Sequence, residues 1–323
     1  MRETEGSLRG KILRDLIAHA ANDHLIGKKV KNGELRRQLS ETEPPWKCPD
    51  YFELTPIEMP DFKMELLQVK EGEVKKDNKE GIVLTKNNNM VILQLHGGGY
   101  VAPMRNAYRM FAGLYVEVSH GMSVLSIDYR VAPEHPYPAA LMDAFAAFLY
   151  LQDMGYEPAQ ILLAGDSAGG GLALALCHYL KDQGMKLPGG IVAMSPWTDL
   201  TASGESYTTN YERDPLFGNT KDSLIYNNSY AGDNDRKLPY LSPLYGDFSG
   251  FPPMLVQVGS YEMLLSDSVD MVAKARAAGV KVHLSVYDGM FHIFQMAAKM
   301  LPESKRAWVE IGKFIEILNH DER

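Results

Sequence analysis

The sequence predicts an α/β protein built on one mostly parallel, doubly wound sheet of eight strands, with helices on both faces. Short apolar runs alternate with helical stretches along most of the chain, the pattern of strands joined by crossover helices. The middle runs are apolar at nearly every position, as a sheet covered on both faces requires. Length agrees: 323 residues exceed one average domain of roughly 100–200 residues and fall short of two comfortable ones. A single large domain carrying inserted segments accounts for that size.

The strand candidates follow in order. Residues 62–69 alternate apolar and polar side chains, which suits a strand with one wet face. GIVLT at 81–85 comes next, after the charged, turn-like stretch 71–80. MVILQL at 90–95, MSVLSID at 122–128, ILLAG at 161–165, GIVAM at 190–194, PMLVQV at 253–258 and KVHLSVY at 281–287 complete the set. Helical patterns at 106–119, 139–154, 168–183, 266–278 and 302–319 separate or follow them. The first two candidates lack a crossover helix, so that edge is expected to be antiparallel. Two regions are surplus to the sheet: residues 1–50, with a helical pattern at 8–20, and the long interval between Met194 and Pro253. Surplus segments on such a scaffold commonly form lids over a site. The expected organisation is one domain over 1–323, with a helical cap from about 1–50 and about 200–235.

Composition narrows the function. Lys and Arg number 33 against 41 Asp and Glu, a net charge of −8, which argues against a nucleic-acid partner. The locally basic KKVKNGELRR at 28–37 reads as a solvated helix or loop face. Cys48 and Cys177 are too few for a disulfide framework and lack metal-ligand spacing. The start, MRETEGSLRGKILRDL, carries charges where a signal peptide needs an apolar core. No apolar run approaches the roughly 18 residues of a membrane span. A cytoplasmic location without membrane association is therefore expected, and a homo-oligomer is compatible with the sequence. The 17 methionines read as core filling.

The sharpest local signal is Gly165-Asp166-Ser167-Ala168-Gly169-Gly170, between the strand ILLAG and the helical ALALCHYL. G-x-S-x-G at a strand-to-helix turn is a nucleophile elbow, a turn so tight that small residues must flank the serine by two on each side. It lifts the Ser167 hydroxyl above the sheet at a helix N-terminus, where developing negative charge is favoured. His96-Gly97-Gly98-Gly99-Tyr100 follows the strand MVILQL. Such a glycine loop brings backbone N–H groups to a substrate oxygen, together with the N–H of the residue after the nucleophile, Ala168. A phosphate cradle would need a Lys-Ser/Thr pair after the glycines, and Tyr-Val stands there instead. His96 reads as an anchor of this loop.

Folds with such an elbow order the triad as serine, carboxylate, histidine. Of the late histidines, His283 lies inside a strand candidate and His320 at the C-terminus, whereas His292 stands in the loop after the last strand. His292 is the preferred base. The acid is expected after PMLVQV, where Glu262 and Asp267 are both available. Glu262 is preferred as closer to the strand end, with Asp267 as a helix cap residue and Asp288 as a turn residue.

These blocks make the chain recognisable. HGGGY at 96–100, DYRVAPEHPYPAA at 128–140, GDSAGG at 165–170, SPWTD at 195–199, the Glu262 loop and GMFH at 289–292 stand in one order. In that order the chain resembles the hormone-sensitive-lipase-like family of bacterial esterases and lipases, over roughly residues 60–320. The resemblance implies an α/β-hydrolase fold with Ser167 as nucleophile, His292 as base, and the amides of Gly97, Gly98 and Ala168 as the oxyanion hole. It implies a cap built from N-terminal helices and a segment after the sixth strand. Many members carry Asp, in a pattern like D-P-L-x-D, where Glu262 stands. The longer glutamate would have to sit back by about one methylene. DYRVAPEHPYPAA reads as structural.

The expectation is a serine carboxylesterase for short- to medium-chain esters, working through an acyl-enzyme with no metal or cofactor. Its partner is a small-molecule ester. Two rivals stand beside it: a non-catalytic ligand-binding protein on the same scaffold, as in plant gibberellin receptors, which lack the histidine, and a hydrolase of amides or lactones.

Overall fold

In the computed structural model, which describes residues 6–21, 43, 45–72, 74–75, 83–219, 221 and 223–321, the apolar runs form the middle of one sheet. Strands β1 (Phe52–Glu58), β2 (Lys63–Val69), β3 (Asn87–Leu95), β4 (Met122–Asp128), β5 (Ile161–Asp166), β6 (Gly190–Met194), β7 (Met254–Gly259) and β8 (Val282–Tyr287) lie in the order β1-β2-β4-β3-β5-β6-β7-β8. β1 pairs antiparallel with β2, and β2 antiparallel with β4. Every other neighbouring pair is parallel. β5, β6 and β7 are buried at every position.

Helices α1 (Leu8–Ala21), α2 (Asn106–Val118), α3 (Ala139–Asp153), α4 (Ala168–Asp182), α5 (Ser206–Thr209), α6 (Leu265–Ala277) and α7 (Pro302–Asp321) match the predicted helical patterns closely, with the one-turn α5 added. Alternate strand residues feed two cores, as the twofold side-chain period of a strand dictates. Val91, Leu93, Leu163, Ile191 and Val256 pack with α3, α4 and α6 on one face. Ile92, Val124, Leu162, Val192 and Leu255 pack with α2 and α7 on the other.

The antiparallel edge is made differently from the expectation. The candidate at 81–85 does not enter the sheet: Val83–Leu84 pairs with Val74–Lys75 as a separate two-stranded piece. The outermost strand is Phe52–Glu58, which carries Pro56 and is buried only at Phe52, its other positions being half-buried or exposed. Pro is tolerated there because an edge strand has unpaired N–H positions. The basic run 28–37 lies outside the described residues. Among the described residues no helix is long and apolar enough to cross a membrane.

Candidate active site

The carboxyl ends of the parallel strands gather the predicted residues, as open α/β sheets do at their ligand sites. Ser167 follows β5 at φ +52° and caps α4. Its carbonyl accepts the N–H groups of Gly171 and Trp197, and its own N–H donates to the Met194 carbonyl at 2.9 Å. The flanking glycines are required by close approach: a Cβ at Gly165 would strike the Gly169 backbone, and one at Gly169 the carbonyl of Leu95. The Ser167 hydroxyl lies 2.9 Å from His292 Nε2. His292 Nδ1 lies 2.8 Å from Glu262 Oε2. All three side chains are buried, and Glu262 is wholly so.

The Glu262 carboxylate folds back on its own loop, as the extra methylene requires. Oε1 accepts the Gly259 N–H at 2.5 Å and the Ser195 hydroxyl at 2.7 Å. Asp267 is committed elsewhere. One of its oxygens accepts the N–H groups of Thr198 and Asp199 at 2.7 and 2.8 Å, and the other accepts the Tyr207 hydroxyl at 2.8 Å. It stands inside the first turn of α6, and its role is to hold the SPWTD block rather than to cap the helix. His283 is exposed on β8 and pairs with Glu310 at 3.1 Å. His320 stands in the last turn of α7, and Asp288 in the turn after β8.

The oxyanion loop needs one correction. The Gly97 N–H donates to Asp166 Oδ1 at 3.1 Å, so it is used in holding the loop. Among the described residues, the N–H groups of Gly98 and Gly99 donate to no protein acceptor. The Ala168 N–H is the first of α4, where no intrahelical partner exists. Asn228 Nδ2 donates to the Gly99 carbonyl at 2.7 Å and fixes that peptide.

His96 anchors the loop. Its ring stacks on Tyr129 at 4.0 Å between centroids, and the Tyr129 hydroxyl donates to the His96 carbonyl at 2.6 Å. Burial lowers the imidazole to about 4, against a smaller raising effect of its hydrogen bond to Gly97. The DYRVAPEHPYPAA block is structural, as read: Asp128 accepts the Met104 N–H at 2.8 Å, and Arg130 grips the buried Asp143. Burial pushes the carboxyl of Asp166 up to about 7, partly offset by His292 and by the Gly97 N–H.

The surplus segments meet the site. The Phe217 ring lies 4.9 Å from that of His292, Leu224 packs against Gly99, and Tyr230 stacks on Tyr100 at 3.9 Å. Asn210 Nδ2 donates to the carbonyls of Ser260 and Glu262. The buried Asp214 accepts the Met263 N–H at 2.7 Å. From the N-terminal side, Arg14 donates to the Gly289 carbonyl at 3.1 Å and lies over the Tyr261 ring. Sequence reasoning singled out none of Asp166, Asn210, Asp214 and Arg14. Only Asp166, inside the elbow motif, carried a signal that could have been used.

A family model described as the alpha/beta hydrolase fold matches residues 92–296. This chain belongs to the α/β-hydrolase fold family. Within the family it groups with the bacterial hormone-sensitive-lipase-like esterases. One solved member, an esterase from the bacterial hormone-sensitive lipase family, superposes with a TM-score of 0.82 at 34% identity, over 96% of this chain and 97% of that one. The esterase EstE5, soaked with p-nitrophenyl butyrate, gives 0.82 at 32%, over 97% and 99%. An acetyl-hydrolase of Streptomyces hygroscopicus is 38% identical over 230 residues, 71% of this chain and 76% of its own length. An esterase of Acinetobacter venetianus is 38% identical over 242 residues, 75% and 80% respectively. For an α/β-hydrolase the order of the strands, with Ser167 after β5, Glu262 after β7 and His292 after β8, is what the fold provides.

Proposed function

We propose that the protein is a serine carboxylesterase acting on small, fairly apolar esters of short to medium acyl length. The observation that carries this reading is the unbroken line from the Ser167 hydroxyl through His292 to Glu262, at 2.9 and 2.8 Å. Ser167 attacks the ester carbonyl as His292 Nε2 takes its proton. The oxyanion forms against the N–H groups of Gly98, Gly99 and Ala168. His292 then protonates the leaving alcohol and activates water to release the acid. Glu262 holds the tautomer and stabilises the imidazolium without taking the proton. Side chains and amides supply all of this chemistry.

The cap in this reading is the N-terminal segment together with about 200–235. Phe217 and Leu224 lie against His292 and Gly99, which supports a second cap segment that limits acyl length. Cys48 and Cys177, both free thiols, accord with a cytoplasmic site of action.

The test is turnover of p-nitrophenyl esters of increasing acyl length by wild type and Ser167→Ala. Wild type is expected to peak at short to medium chains, and Ser167→Ala to lose at least about 10³-fold in kcat. Ester hydrolysis by Ser167→Ala within a few-fold of wild type overturns the nucleophile. No turnover by wild type at any length favours the ligand-binding rival.

A further inference from the structure

A glutamate facing the catalytic histidine has one more torsion than an aspartate, and so more freedom to be suppressed. Ser195 is placed to suppress it. It follows β6, is fully buried, and stands at φ +47°, a conformation a non-glycine residue keeps only when its surroundings impose it. Its N–H donates to the Gln257 carbonyl of β7 at 2.6 Å, which ties it to the sheet. Its hydroxyl lies 2.7 Å from Glu262 Oε1. The Ser195 hydroxyl oxygen also accepts the Ile293 N–H at 3.4 Å, and Ile293, at φ +53°, directly follows His292. With a lone pair turned to that N–H, the hydroxyl's one proton goes to Glu262. Oε1 is then saturated by Ser195 and Gly259, and Oε2 alone faces the imidazole.

We propose that Ser195 is a positioning residue of the hydrolytic site, whose hydroxyl fixes one carboxylate oxygen of Glu262 on His292 and tethers the histidine loop through Ile293. The proposal rests on the triad reading above and adds a fourth side chain to it. Two consequences follow from the chemistry. Loss of the hydroxyl frees Glu262 to rotate, so the imidazole loses its fixed aim, and misplacement on this scale costs rate rather than binding. Loss of a donor on Oε1 also leaves more negative charge on Oε2, which favours the imidazolium. The acid limb of the kcat/KM profile, where the base must be neutral, therefore moves to higher pH.

Other groups act on the same imidazole: Asp166 from the end of β5, Asp214 from the segment after α5, and Glu262 itself. All three are retained in the variants, so the readout is the difference from wild type. The experiment measures kcat, KM, the pH profile and the thermal midpoint on p-nitrophenyl butyrate for wild type, Ser195→Ala, Ser195→Cys and Ser167→Ala. Ser195→Ala is expected to lose about 10- to 100-fold in kcat with little change in KM and with the acid limb displaced upward. Ser195→Cys, a weak donor, is expected to fall between Ser195→Ala and wild type in both. The proposal is overturned by Ser195→Ala within two-fold of wild type, or by a loss of kcat that accompanies a lower midpoint with the limb unmoved. If Ser195→Ala does not fold, Ser195→Cys decides: wild-type kcat with an unmoved limb overturns the proposal, and a reduced kcat with the limb raised supports it. An active Ser167→Ala would instead overturn the triad reading itself, whatever Ser195 does.

Discussion

Asp166 lies under the glycine loop with one oxygen on the Gly97 N–H and the other, Oδ2, buried without a hydrogen-bond partner among the described residues. A half-satisfied ionised carboxylate is costly in such a place, and the group answers by holding its proton: burial pushes it up to about 7. An unfolded aspartate ionises near pH 4. Between about pH 4 and 7 the unfolded chain therefore binds fewer protons than the folded one at this site, and the stability it contributes falls as pH rises through that window. His96 works in the opposite sense. Burial keeps it neutral down to about 4, whereas an unfolded histidine charges near 6.5, so its contribution falls as pH drops from about 6.5 to 4. Asp166→Asn keeps an acceptor for Gly97 and removes the ionisation. The gain of its thermal midpoint over wild type should grow from pH 5 to pH 8. Unfolding curves at several pH values check this, and an equal difference at both ends would contradict a protonated Asp166.

Among the elements, α1 makes specific contacts near the loops that carry Glu262 and His292. At its start, the Ser7 N–H and hydroxyl donate to the two oxygens of Glu303 in the first turn of α7, both at 2.9 Å. Farther along, Arg14 donates to the Gly289 carbonyl and lies 4.3 Å from the centre of the Tyr261 ring, which Arg213 approaches from the segment after α5 at 5.2 Å. Tyr261 precedes Glu262, and its N–H donates to the Met290 carbonyl, so one arginine braces the acid loop and the histidine loop together. Arg14→Ala is expected to lower kcat by about 2- to 10-fold and the thermal midpoint by about 2–4 °C. Arg14→Lys, which keeps a donor but loses the planar stack, should fall between. Kinetics and melting curves on the same samples decide, and a wild-type Arg14→Ala would show the brace to be idle. Elements differed in how well they could be read from sequence. The buried parallel strands announce themselves because both faces are apolar, and helix limits fell within a residue or two. β1 was missed because its pattern is mostly exposed and holds a proline. The apolar run at 81–85 reads as a sheet strand because periodicity does not say which partner a short run finds.

At the scale of the molecule, the site divides into a part written locally and a part written by the fold. The elbow, the glycine loop and the late histidine are motifs whose neighbours in sequence create their geometry. The contacts that hold them join residues far apart and use backbone donors and acceptors of any sequence, as Asp166 does with the Gly97 N–H and Asn210 with the carbonyls of Ser260 and Glu262. No periodicity encodes them. The same division bears on the N-terminal segment. Among the described side chains, neither large core contains a residue of α1. Among the described residues, its Leu13 and Ile17 pack against the small cluster that includes Met290, Phe291 and Phe294 around the histidine loop. Glu43 accepts the N–H groups of Asn106 and Ala107 at 2.8 and 2.9 Å, and so caps α2. A chain beginning at Pro45 would thus keep both sheet cores while losing a cap contact worth about 1 kcal/mol, together with the apolar cover of the histidine loop. It should fold with a lowered thermal midpoint. Hydrogen exchange should quicken at 289–297 and around 106–110 while 161–182 stays protected. Ester turnover should fall at least about tenfold, because His292 would no longer be held on Ser167. Unchanged turnover with unchanged exchange at 289–297 would mean that the sheet alone holds the histidine, and that the N-terminal segment has no part in the cap.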